Sequence, residues 1–154
     1  MKKNKYQLSA QKVEQLENEL KDLQTKGREK IADSLDWLRS LPNDQDDVTF
    51  SDVFEDQRYL EKRILELKEI LSSYDIVHDN PNSSQVEIGS VVRVGFGQYE
   101  EEYTIVSALE ADPINKKISD ESPVGRALIG KRVGDTVVVS TGIVEKEYRV
   151  LEIK

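Results

Sequence analysis

LPNDQDDVTFSDVFED, residues Leu41 to Asp56, decides the organisation of the chain. It carries six acidic residues, Asp44, Asp46, Asp47, Asp52, Glu55 and Asp56, and no Lys or Arg falls between Arg39 and Arg58. Pro42 is the only proline in the first eighty residues. It cannot continue a helix, and it biases Leu41 toward an extended conformation. Apolar residues recur at helical spacing on both sides. Two helices joined by so short a turn must run antiparallel. The stretch therefore reads as the acidic tip of a helical hairpin.

On the N-terminal side, Val13, Leu16, Leu20, Leu23, Ile31, Leu35 and Leu38 recur at steps of three and four with charges between them, which predicts one helix over residues 8–41. At about 1.5 Å per residue it reaches roughly 50 Å. Ser9 is the expected N-cap, although the third residue beyond it is Lys12 rather than the Glu or Gln of a capping box. Gly27 interrupts the stripe at about 1 kcal/mol relative to Ala and is expected to mark a bend. On the other side a helix is expected from Ser51 to Ser73, capped by Ser51. Phe54, Tyr59 or Leu60, Ile64, Leu67 and Leu71 form its apolar face, and Asp52, Glu55 and Asp56 sit where the helix dipole favours acids. The two stripes predict a two-stranded coiled coil, with Trp37 on or beside its seam.

Beyond residue 76 the pattern changes. Asn80-Pro81-Asn82-Ser83-Ser84 marks a linker, and the apolar period then becomes two. Val91–Val94, Tyr103–Val106, Thr136–Val139 and Tyr148–Leu151 read as strands, and Pro123 to Lys131 as one short helix. The expected class is α+β. A coiled-coil hairpin occupies 1–76 with its tip near 42–50, a linker 77–85, and a small β-rich domain 86–154.

Composition excludes several functions. There is no cysteine, so neither disulfides nor a thiolate metal site contributes. The basic start has no apolar stretch behind it, and no run approaches membrane-spanning length, so a cytoplasmic protein is expected. The net charge is −8. Residues 1–75 hold 13 Lys and Arg against 17 Asp and Glu, and residues 76–154 hold 9 against 13, so each half is −4. That balance opposes generic nucleic-acid binding, which needs a basic footprint.

An acidic run is most often a solvated face, and half of this one is N-terminal helix chemistry. Asp44, Asp46, Asp52 and Glu55 fall at EF-hand positions one, three, nine and twelve. Val48 and Thr49, however, stand where that loop needs an oxygen ligand and a glycine turn. A loose carboxylate cluster suits Mg²⁺ better, with the remaining ligands supplied from elsewhere. His78, the only histidine, sits in the linker and has no second His or Cys with which to build a nucleophile–base pair. Gly95-Phe96-Gly97 lacks the spacing of a nucleotide loop and reads as a strand bend. No self-contained active site is visible.

The second half resembles the C-terminal domain of the bacterial GreA/GreB transcript-cleavage factors. The resemblance rests on Gly89-Ser90-Val91-Val92, Tyr103-x-Ile105-Val106, Glu110-Ala111-Asp112, and the run Ile118-Ser119-x-x-Ser122-Pro123-x-x-Arg126-Ala127-Leu128-Ile129-Gly130-Lys131-x-x-Gly134-Asp135. Leu8-Ser9, Glu19-Leu20, Arg28, Ile31, Arg39 and Arg63-Ile64 extend it over nearly the whole chain. It implies an FKBP-like C-terminal domain that docks on the rim of the RNA polymerase secondary channel, with Asp120, Ser122 and Pro123 as contacts. It further implies that the hairpin tip reaches the polymerase active centre. There Asp44, Asp46 and Asp47 assist cleavage of the backtracked RNA 3′ end, and Asp44 and Asp46 share Mg²⁺ with the polymerase. The factor is then not itself an enzyme. It is expected to be a monomer that meets DNA only through the complex and has no membrane partner.

The tip departs from the family. The motif Gly-Asp-Leu-x-Glu-Asn-x-Glu-Tyr meets Pro42-Asn43-Asp44-Gln45-Asp46-Asp47-Val48-Thr49-Phe50. Neutral Asn43 falls on the first metal-directed acid, and Asp46, one methylene shorter, falls on the Glu. Two readings stay open, a cleavage-stimulating factor and a channel-binding regulator that modulates or inhibits without cleavage. A third, from another class, is a peptide-binding or prolyl-isomerase module, which the family resemblance argues against.

Overall fold

The computed structural model describes residues 5–42 and 47–154, with side chains from residue 50 onward in the second stretch. The described chain divides into two compact units, Gln11–Tyr74 and a unit made of the chain up to Ala10 together with Asp75–Lys154.

The first unit is the helical hairpin. Helix α1 (Ala10–Asp22) passes through a π-helical turn (Leu23–Gly27) into α2 (Arg28–Ser40), and α3 (Asp47–Ser72) returns. Leu41 leaves α2 in an extended conformation, φ −76° and ψ 147°, as the following proline requires. Leu38 is buried on one helix, and Ile64, Leu67 and Ile70 are buried on the other. Val53, Gln57 and Leu60 continue the α3 seam toward the tip.

Three expectations change here. Helix α3 begins at Asp47, so Ser51 lies inside it and caps nothing. Its heptad starts earlier than expected, because Phe50, Val53, Gln57, Leu60, Ile64 and Leu67 step by three and four. That stepping puts Phe54 and Tyr59 outside the seam, 48% and 66% exposed. Trp37 is not core either, at 58% exposed. Leu38 takes the seam, and its neighbour is turned about 100° away.

Gly27 serves close approach. A Cβ there would lie 2.8 Å from Leu60 Cδ1. Its φ of −63° is ordinary helix, so the glycine answers to space and not to backbone conformation. The helices are further registered by Arg28, whose Nε and Nη2 donate to the two Glu61 carboxylate oxygens at 2.9 Å each. Arg63 does the same to Glu19 at 2.7 and 3.0 Å.

The second unit contains a two-stranded sheet, β1 (Tyr6–Leu8) with β2 (Tyr74–Ile76), and a five-stranded sheet. The latter has the order β5-β4-β3-β7-β6, from β3 (Val91–Phe96), β4 (Tyr99–Val106), β5 (Lys117–Ser119), β6 (Thr136–Ser140) and β7 (Glu145–Ile153). Only β4 and β5 pair in parallel within it. Helix α4 (Pro123–Leu128) packs on the sheet, and Leu128 joins Val92, Val94, Ile105, Val137, Val139, Tyr148 and Val150 in the core. Burial alternates along β6 because successive side chains of a strand point to opposite faces, which leaves Val138 exposed between buried Val137 and Val139. Residues up to Ala10 group here rather than with the hairpin because the Val77 N–H bonds Leu8 O at 2.8 Å, while Ser9 donates its N–H and hydroxyl to Glu110 at 2.9 and 2.5 Å. Glu110 thus fills, from a hundred residues away, the place a capping-box acid leaves open.

Candidate functional site

Asp120, Ser122 and Pro123 lie in one tight turn between β5 and α4, and the geometry separates their roles. Gly125 is the fixed point. A Cβ on it would meet Ser119 O at 1.9 Å, so only glycine lets the first turn of α4 close onto the end of β5. Ser122 caps the helix, accepting from Gly125 N at 3.0 Å while its hydroxyl donates to Ser119 O at 2.6 Å. Pro123 follows at the first helical position, where its missing N–H costs nothing, and its side chain is exposed. The Asp120 N–H donates to Val106 O at 2.8 Å, and Ser119 Oγ accepts from Glu121 N at 3.0 Å. Ser122 therefore acts by shaping the loop, whereas Asp120 and Pro123 present its surface.

Two concavities flank this loop. One, of about 420 Å³, runs past Val86, Ile88, Arg126 and Ile129. The other, of about 730 Å³, is bounded by Tyr6, Ser107, Leu109 and Glu121. Asp120 and Ile88 border both. Tyr6 and Ser107 carried no signal in the sequence, since segments far from the loop in the chain supply them, whereas Glu121 lies within the loop itself.

A second polar cluster sits on β4. The Tyr103 hydroxyl donates to Glu101, Lys116 Nζ donates to the same carboxylate at 3.2 Å, and that ammonium lies 5.9 Å from the Tyr103 ring centroid. The Tyr103 bond and the lysine hold the Glu101 carboxyl below the usual glutamate range. Burial first, and then Glu101, push the Tyr103 phenol up. A hydroxyl already committed to a carboxylate is a structural link.

Asp44 and Asp46 lie outside the described residues, and Asp47 is the first residue of α3. Among the described residues no group of three or more His, Cys, Asp or Glu side chains is placed to hold a metal. His78 is exposed and borders a smaller cavity of about 230 Å³ with Asp79 and Pro81. Among the described residues no helix is long and apolar enough to cross a membrane.

Comparison with known proteins accounts for both units. The family profile "Transcription elongation factor, N-terminal" matches residues 6–76, and "Transcription elongation factor, GreA/GreB, C-term" matches residues 80–154. Transcription elongation factor GreA of Clostridium botulinum is 36% identical over 152 residues, spanning 97% of this chain and 95% of that protein. The GreA of Thermoanaerobacter pseudethanolicus is 36% identical over 150 residues, 96% of each chain. Among solved structures, the GreA factor homolog 1 of Thermus thermophilus is 28% identical, covering 98% of this chain and 99% of that one, with a TM-score of 0.46. The chain belongs to the GreA/GreB family of transcription elongation factors.

Proposed function

We propose that this elongation factor docks on RNA polymerase at the rim of the secondary channel through the Asp120–Pro123 loop. The hairpin tip then reaches the active centre, where it stimulates cleavage of backtracked RNA. The observation that carries docking is the loop itself, held by the Ser122 cap and the Gly125 approach so that Asp120 and Pro123 are presented on a rigid turn. Preorganisation of that kind lowers the ordering cost of association.

Asp44, Asp46 and Asp47 are the proposed assisting carboxylates. Their chemistry fits Mg²⁺, a hard cation taking oxygen ligands, and their small number fits a site completed by the polymerase. When bound there, Mg²⁺ supplies Lewis-acid polarisation and an acidified water for phosphodiester hydrolysis. In this reading the chain lends hard oxygens to a site that the polymerase completes.

The second reading, a channel occupant that regulates without cleavage, is favoured by one observation: neutral Asn43 stands on the family's first acidic tip position. A stalled, backtracked complex of the cognate polymerase separates the two. RNA cleavage with the parent that is lost in Asp44→Ala/Asp46→Ala supports the first. Protection of the RNA from an active cleavage factor, without cleavage, supports the second.

A further inference from the structure

Strand β6 lies at one edge of the five-stranded sheet and pairs with β7 alone. An edge strand leaves a row of backbone donors and acceptors unpaired, and folded proteins blunt such edges with charge, proline, a bulge or shortness. The opposite edge, β5, is three residues long and carries Lys117. Strand β6, Thr136-Val137-Val138-Val139-Ser140, has no charge and no proline, and its pairing with β7 runs in unbroken register.

The free half of its backbone can be named. Val150 N donates to Asp135 O just before the strand, and Thr141 N donates to Val144 O just after it. Alternate residues of an antiparallel ladder bond the same neighbour. Val137 and Val139 therefore bond β7, while Thr136, Val138 and Ser140 turn their N–H and C=O groups outward. Val138 is also 60% exposed, and Val133 and Ile143, before and after the strand, are exposed as well.

We propose that β6 is a self-association edge, to which β6 of a second copy of this chain adds antiparallel about a two-fold axis at Val138. The outward residues then meet in kind. Val138 exchanges backbone bonds with its counterpart, and Thr136 pairs with Ser140 in both directions. The same axis brings Val133 of one copy to the end of the strand where Ile143 of the other stands, so apolar side chains left in water by the single chain gain a partner. Charge does not oppose the contact. Glu147, beside Val138 on β7, stands three strand spacings from its counterpart, about 14 Å, which exceeds the screening length of about 8 Å. A charged foreign strand would find no opposite charge on β6, whereas the self-pairing matches at every position. The contact uses β6 of both copies, so it closes at a dimer in equilibrium with the monomer. The docking loop follows β5, at the other edge of the sheet, so the two contacts use different strands.

Sedimentation of the full chain across concentration tests the proposal. The parent is expected to pass from monomer to dimer as concentration rises. Val138→Lys sets two ammonium groups opposite each other at the axis and is expected to weaken association more than about tenfold. Its unfolding midpoint is expected to stay at the parent value, because the side chain lies outside the core. Val138→Glu alone is expected to behave likewise, and an equimolar mixture of the two variants to restore the dimer, since each lysine then meets a glutamate. Amide exchange at Thr136, Val138 and Ser140 is expected to slow in the parent dimer and not in Val138→Lys. A parent that stays monomeric at millimolar concentration would overturn the proposal. So would a dimer undiminished by Val138→Lys, which places the contact elsewhere, and so would a mixture no more associated than either variant alone. Slowing of these amides only when another protein is added would assign the edge to a foreign strand instead.

Discussion

A methyl group on Gly125 would lie 1.9 Å from the carbonyl oxygen of Ser119. The obstacle is backbone, which cannot swing aside as a flexible side-chain end does. Gly125→Ala must therefore open the turn that carries Asp120 and Pro123. The expected cost is about 1–3 kcal/mol of stability, as for overpacking elsewhere, with polymerase affinity reduced by more than tenfold. Thermal unfolding and a binding titration check both. Native-like affinity in Gly125→Ala would detach the loop from docking.

Ser122→Ala removes the cap while leaving the loop surface in place. A lost N-cap costs about 0.5–2 kcal/mol. Ser122→Asp restores an acceptor for the Gly125 N–H but not the donor to Ser119 O, so its stability is expected to fall between alanine and parent. Denaturant midpoints order the three.

Gly27 presents the contrasting case. The atom that a Cβ would meet is Leu60 Cδ1, the free end of a side chain. Helix propensity favours Ala over Gly by about 1 kcal/mol, which offsets the repacking. Gly27→Ala is thus expected to lie within about 1 kcal/mol of the parent. Gly27→Leu, which has no room between the helices, is expected to lose clearly more. Equal stabilities for the two would remove the close approach as the reason for the glycine.

The two cross-hairpin ion pairs are nearly half exposed, at 42% and 39% for Arg63 and Glu19. Bidentate geometry favours them and solvent screening weakens them, so a double-mutant cycle on Glu19 and Arg63 is expected to yield about 0.5–1 kcal/mol of coupling, falling with salt. A larger, salt-independent coupling would mean that register rests on these charges rather than on the apolar seam.

Stability should depend on pH at both ends. The carboxyls of Glu61, bonded by Arg28, of Glu101, bonded by Tyr103, and of Asp112, bonded by Asn115, all titrate below their ordinary values of 4.5, 4.5 and 3.8. Their contribution is complete above those values and is lost as pH falls through the lower folded ones. The Tyr103 phenol is raised above its ordinary 10.0, so its contribution is complete below pH 10.0 and is lost above it. Tyr103→Phe is expected to remove the alkaline loss and to move the acid loss at Glu101 to higher pH. Unfolding midpoints measured from pH 2 to 11 report both limbs.

The hairpin was legible because Pro42 breaks the chain and the seam of α1 and α2 is a plain three-four repeat. Four strands were legible from period-two runs with little else in them. Short β1, β2 and β5 carry three residues each, too few for any period to show, and pairing with distant partners alone makes them strands. The start of α3 was misplaced because Ser51 has the chemistry of a cap, whereas the seam already begins at Phe50. Trp37, expected on or beside the seam, stands 58% exposed because the angular step of the helix gives the seam to Leu38.

Sequence alone determined the two-part organisation and the antiparallel hairpin, because periodicity and proline are local properties of the chain. Tertiary structure decided which side of α3 is buried, that Glu110 serves Ser9, and that Tyr6, Ser107 and Glu121 share one groove. Those relationships join residues more than a hundred positions apart. Only burial of a common core brings such segments within hydrogen-bonding reach.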